Sequence, residues 1–120
     1  MATNYKKGHL AEKIACFFLM LRGWWPLALN FVVGRGTGAG EVDLIMKRGK
    51  TLIFVEVKYR PTLIQAMEAI GIQNQIRVAK TSAVFLQKNP RYKDYQVRYD
   101  AVLMAPRRWP KHLPNAWSIM

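Results

Sequence analysis

At 120 residues and 51% hydrophobic side chains, the chain holds enough apolar material for one compact domain with a real core, which excludes a linker or a disordered tail. Nineteen lysines and arginines against seven acids give a formal net charge of +12. It is spread evenly, with ten basic and four acidic residues up to position 60 and nine and three beyond it. A basic surface of this kind, with pI near 10.3, selects a polyanionic partner: nucleic acid first, an anionic membrane or the ribosome behind it.

Gly8 to Gly23 reads as a helix. Leu10, Ile14, Phe17 and Leu21 recur at i, i+4, i+7 and i+11 as the stripe expected to face the core, and Gly23 supplies the stop. The apolar run Ile14 to Leu21 is too short to span a bilayer. Glu12, just before it, spoils the charge layout of a signal peptide. Cys16 is the lone cysteine, so no internal disulfide forms and a reducing cytoplasm suits the chain. With only His9 and His112 besides, the ligands of a structural zinc site are missing. Glu12 lies off the apolar stripe, where it can interact with the helix N-terminus. Trp24 to Val33 follows as an edge or second strand, its tryptophans expected in the core or covering the sheet. Gly34 to Gly40 is a glycine-rich loop in which Arg35 is a candidate phosphate contact.

The next stretch, GEVDLIMKRGKTLIFVEVKYR from Gly40 to Arg60, reads as a hairpin. Its first strand is Glu41 to Met46 and its second is Thr51 to Lys58. The second is apolar at both parities, as a central strand covered on both faces must be, yet it carries Glu56 and Lys58. Charges there need a metal, a partner charge or hydrogen bonds. Glu41 and Asp43 share one pleat face, and Glu56 and Lys58 share another. Whereas a three-residue turn would split the carboxylates between faces, a two-residue turn at Arg48-Gly49 sets Glu41 opposite Glu56 and a four-residue turn sets Asp43 there. In both cases three of the chain's seven acids converge beside one ammonium, which is a site for a hard divalent cation. A plain salt-bridge cluster with Lys47, Lys58 and Arg60 is the competing reading.

Beyond Arg60, Pro61 to Gly71 holds a short turn of helix. A longer helix runs from Gln73 to Lys88, with Ile72, Ile76, Ala79, Ala83 and Leu86 on its apolar stripe and Arg77 and Lys80 off it, either solvated or on phosphates. Asn89-Pro90 ends it. Tyr95 to Met104 is a strand in which Asp100 is expected to fix a strand end by a salt bridge or hydrogen bond. From about 105 the chain becomes a basic, proline-broken extension. Arg107 and Arg108 lie in it as candidate phosphate contacts, and Ala116 to Met120 is a last edge strand.

Asp43 followed by Glu56-Val57-Lys58 resembles the D…ExK signature of restriction-endonuclease-like nucleases. With Gly8, Ala11-Glu12, GEVDLI, FVEVKYR and Arg98-Tyr99-Asp100-Ala101-Val102, the chain resembles the YraN family from about Gly8 to Met104. The resemblance implies a single α/β domain with a restriction-endonuclease-like core, a central mixed β-sheet flanked by helices in the order αβββαβ. It implies that Asp43, Glu56 and the carbonyl of Val57 hold Mg²⁺ (or Mn²⁺), with Glu41 or Glu12 completing the shell, and that Lys58 acts on the attacking water. It implies a nuclease for DNA, branched or damaged DNA included, and a homodimer. One departure stands out: a lysine commonly starts the second long helix in this family, and Asn74 occupies the matching position here, with Arg77 after it. The basic residues expected on nucleic acid are Arg35, Arg60, Arg77, Lys80, Arg107 and Arg108, with DNA favoured over RNA and no membrane. The competing functions are a nucleic-acid-binding module without turnover and an interaction protein docking on ribosomal or other RNA.

Overall fold

The computed structural model describes residues 2–34 and 40–117, with side chains from residue 9 onward. Helix α1 (Ala2–Met20) leads into strands β1 (Trp25–Val33), β2 (Gly40–Arg48) and β3 (Thr51–Tyr59). A short α2 (Leu63–Glu68) and a long α3 (Ile72–Lys88) follow, then a 3-10 turn (Pro90–Tyr92), β4 (Gln96–Met104) and β5 (Lys111–Leu113). The strands form one sheet in the order β1-β2-β3-β4-β5, antiparallel except for the β3–β4 pair. A parallel pair needs a crossover, and α2 with α3 provides it. Thr62 caps α2, its hydroxyl accepting from Gln65 N–H at 3.1 Å.

β3 is buried on both faces, as its two-parity apolar sequence requires. Ile53, Val55 and Val57 pack with Ala11, Ala15 and Leu19 of α1. Leu52 and Phe54 pack with Val78 and Phe85 of α3 on the other side. The two helices therefore cover opposite faces of the sheet.

Both helices bury a different face from the one their periodicity predicts. On α1 the expected stripe faces solvent, with Leu10, Ile14, Phe17 and Leu21 all exposed, while Ala11, Ala15, Cys16 and Leu19 are buried. On α3, Ile72, Ile76 and Ala83 are exposed, and Val78, Thr81, Ser82 and Phe85 are buried. In each case small side chains lie at the contact, so the helix sits close to the strands. The buried hydroxyls of α3 are satisfied locally: Thr81 donates to Arg77 O at 2.7 Å, and Ser82 lies within hydrogen-bond distance of Ala79 O and the Tyr99 hydroxyl.

Gly40 marks the closest approach. Its φ is +133°, and a Cβ there would lie 2.8 Å from Thr81 Oγ1 and 3.0 Å from Arg77 O. Only glycine fits at the start of β2. Gly40→Ala should destabilise the fold by roughly 1–3 kcal/mol through overpacking and backbone strain; a thermal melt superimposable on wild type would contradict this.

Two further expectations change. Trp24 is buried, with the guanidinium groups of Arg48 and Arg98 4.3 and 5.4 Å from its ring centroid, but Trp25 is exposed on the edge strand β1. The last strand among the described residues is Lys111–Leu113; of the expected strand Ala116 to Met120, Ala116 and Trp117 lie outside any strand, Ala116 N–H bonding Tyr99 O at 2.7 Å, and residues 118–120 lie outside the described residues. Cys16 is buried and burial pushes its thiol pKa up. Among the described residues no helix is long and apolar enough to cross a membrane.

Candidate active site

The β2–β3 turn comprises Gly49 and Lys50, one residue later than Arg48-Gly49, because Arg48 pairs with Thr51. Gly49 takes φ +60° while Lys50 does not have positive φ, the pattern of a type II′ connection with glycine in its first central position. The resulting register pairs Leu44 with Val55, so its continuation sets Asp43 opposite Glu56. The backbone ladder stops at Leu44–Val55. Beyond it the Asp43 carboxylate accepts from Val57 N–H at 2.8 Å and takes the place of a strand partner. Asp43 therefore sits where β2 and β3 part.

Glu56 is buried to 7% exposure and lies 3.6 Å from Lys58 Nζ. Burial first, then the charge of Asp43 and a hydrogen bond shared with it, push the Glu56 carboxyl up to about 8 against the pull of Lys58. Glu12 comes to the same place from α1. Because α1 begins at Ala2, Glu12 is well inside the helix, which removes the role of satisfying its N-terminus. Burial, with Asp43's charge and a hydrogen bond to it, raises Glu12 to about 8 as well, Asn30 opposing. Glu41 is exposed and adds a smaller repulsion to both.

Two residues of this neighbourhood were not anticipated. His9 Nδ1 lies 3.5 Å from Glu12 Oε1 and 3.4 Å from Asn30 Nδ2. Asn30 holds φ +54°, a left-handed conformation within a strand that places a polar side chain under α1. The available signals were a His three residues before Glu12 and a lone amide in WPLALNFVV.

The donor set suits a hard cation. It is all carboxylate oxygen, its members repel one another, and Glu12 Oε1 is a buried oxygen with no hydrogen-bond partner. Among the described residues no three His, Cys, Asp or Glu side chains stand as a ready-made ligand group. What Glu12 and Glu56 share is Asp43, and a cation there would relieve both repulsions.

Residues 11–104 match the family described as Uncharacterised protein family UPF0102. The chain belongs to this family. It is the YraN family whose motifs the sequence carries. A UPF0102 protein of Paramagnetospirillum magneticum is 45% identical over 114 residues, covering 95% of this chain and 88% of the relative. One of Methylorubrum extorquens is 45% identical over 117 residues, covering 98% and 88%. Among solved structures, Archaeoglobus fulgidus Hjc, a Holliday junction resolvase, aligns with a TM-score of 0.52 at 18% identity, covering 86% of this chain and 72% of that one. That likeness shows the fold, the restriction-endonuclease-like α/β core with its mixed sheet.

The remaining expected residues of this UPF0102 chain lie around that core. Arg60, Arg77, Lys80, Arg107 and Arg108 are all exposed, and Arg35 lies outside the described residues. Arg60 follows β3 directly, its N–H bonding Met104 O at 3.1 Å. Asn74 donates to Ala69 O at 2.9 Å and ties the start of α3 to the end of α2.

Proposed function

We propose that this UPF0102 protein is a divalent-metal-dependent nuclease that hydrolyses DNA phosphodiester bonds. The observation that carries the reading is the placement of Asp43: opposite Glu56, bonded to Val57 N–H, and next to the Glu56–Lys58 pair. Asp43, Glu56 and the carbonyl of Val57 would hold Mg²⁺ or Mn²⁺, with Glu12 or Glu41 completing the set. Bound there, the ion supplies charge that lowers the pKa of a water and neutralises phosphoryl oxygens. Lys58 orients or deprotonates the attacking water and offsets the charge that develops on phosphorus oxygens. The bond that the Asp43 carboxylate accepts from Val57 N–H fixes one of its oxygens. A buried, low-dielectric Glu56 strengthens each of these interactions.

The test is incubation with single-stranded, duplex and four-way-junction DNAs in Mg²⁺, Mn²⁺ or EDTA. Cleavage that needs metal supports the proposal; binding to every DNA with no cleavage in either metal replaces it with a binding module. Binding itself should be strongly electrostatic at +12 net charge. If roughly 4–6 phosphates are neutralised, log K against log salt should slope at about −4 to −5. A flat response would move the weight to a protein partner.

A further inference from the structure

Trp109 is 86% exposed, the highest value among the large hydrophobic side chains of the described residues. It belongs to the β4–β5 connection, in the run Pro106-Arg107-Arg108-Trp109-Pro110-Lys111. Arg107, Arg108 and Lys111 around it are exposed. The connection is conformationally restricted: prolines stand on both sides, and Arg107 takes φ +62°, a left-handed bend uncommon for a residue with a side chain. The fold thus holds a large aromatic ring out into water amid positive charge.

The connection is also close to the candidate active site. β5 turns back at once, so that Lys111 pairs with Leu103, which in turn pairs with Lys58. With Trp109 two residues from Lys111, its Cα lies within roughly 17 Å of that of Lys58. That distance is about five base steps at 3.4 Å each. At the same end of the sheet Tyr59 is 41% exposed and Arg60 is exposed beside Met104.

We propose that Trp109 is a base-stacking platform for an unpaired nucleotide, with Arg107 and Arg108 on the adjoining phosphates, so that this end of the protein takes a single-stranded DNA segment in preference to a continuous duplex. In a duplex both faces of every base are covered and the indole meets only backbone. An unpaired base offers its π-face whatever its identity, which makes the platform tolerant of sequence. The arginines supply register on the strand and read no bases. The assignment rests on the nucleic-acid reading above and specifies which form of DNA it engages.

The experiment is fluorescence anisotropy of the full chain in EDTA with a thymidine oligonucleotide and with a duplex of equal length, so that cleavage plays no part. Trp109→Ala should weaken oligonucleotide binding roughly 5- to 100-fold and leave duplex binding and the melting temperature unchanged. Trp109→Phe should recover most of the loss. The double variant Arg107→Ala, Arg108→Ala should weaken both DNAs alike. Equal losses of Trp109→Ala on the two DNAs, or none, overturn the platform even if the wild type cuts DNA. A selective loss in a protein that cuts nothing upholds the platform and removes the nuclease. A wild type that binds neither DNA overturns both.

Discussion

Lys58→Ala should lower Mg²⁺-dependent cleavage on the order of 10²- to 10³-fold, the usual cost of removing one preorganised electrostatic partner, while most of the metal binding survives. Lys58 is not among the oxygen donors, and its ammonium, 3.6 Å from Glu56, acts on the water and on developing charge. Glu56→Ala should behave differently. It deletes a donor, so cleavage disappears at any Mg²⁺ concentration. DNA binding in EDTA stays the same, because the deletion removes a metal donor and no phosphate contact. Calorimetric titration with Mg²⁺ beside a single-turnover cleavage assay separates the two variants. If wild type and both variants bind DNA and melt alike and none cuts, Asp43, Glu56 and Lys58 form a neutral cluster and the nuclease reading is withdrawn.

The four long strands of this fold were legible because their signal is strong and local. β3 is apolar at both parities, which only a strand covered on both faces tolerates, and its Glu56 stands between Asp43 and Lys58. The hairpin survived a turn displaced by one residue, because the shift exchanges Glu41 for Asp43 opposite Glu56 and both lie on the same pleat face. Helix faces were misread for a different reason. Periodicity marks where the largest apolar side chains lie, whereas a helix lying close on a sheet needs small ones. Ala11 and Ala15, Thr81 against Gly40 and Ser82 against Tyr99 outrank Leu10, Phe17 or Ile76 for that contact. His9 and Asn30 were out of reach. Their meeting with Glu12 depends on a left-handed residue inside β1, and twenty-one positions separate the pair.

Asp100→Ala should destabilise the protein by about 3–5 kcal/mol, the range for removing one partner of a buried charge cluster. The side chain is wholly buried on β4. It accepts from Arg98 Nε and Nη2 at 3.0 and 2.7 Å, lies 2.7 Å from His112 Nε2, and accepts from Asn115 N–H at 2.9 Å. One carboxylate thus fastens β4 to β5 and to the turn after it, and holds the guanidinium that covers Trp24. Its loss leaves the half-buried Arg98 guanidinium and a backbone donor without their acceptor. The same contacts set the pH dependence. Burial alone would raise the Asp100 pKa, but the bonds from His112, Arg98 and Asn115 outweigh it and the carboxyl titrates below the ordinary aspartate range. A depressed folded-state pKa contributes stability that is fully present above the unfolded value of about 3.9 and is lost as pH falls through the folded one. Wild type should therefore lose stability steeply below about pH 4, and Asp100→Asn should start lower at pH 7 with a shallower acid limb. Thermal melts from pH 3 to 7 decide it. A variant that melts within a degree or so of wild type at pH 7, where a fall of about 12–20 °C is expected for a chain of this size, would show that β5 is held by its strand pairing alone.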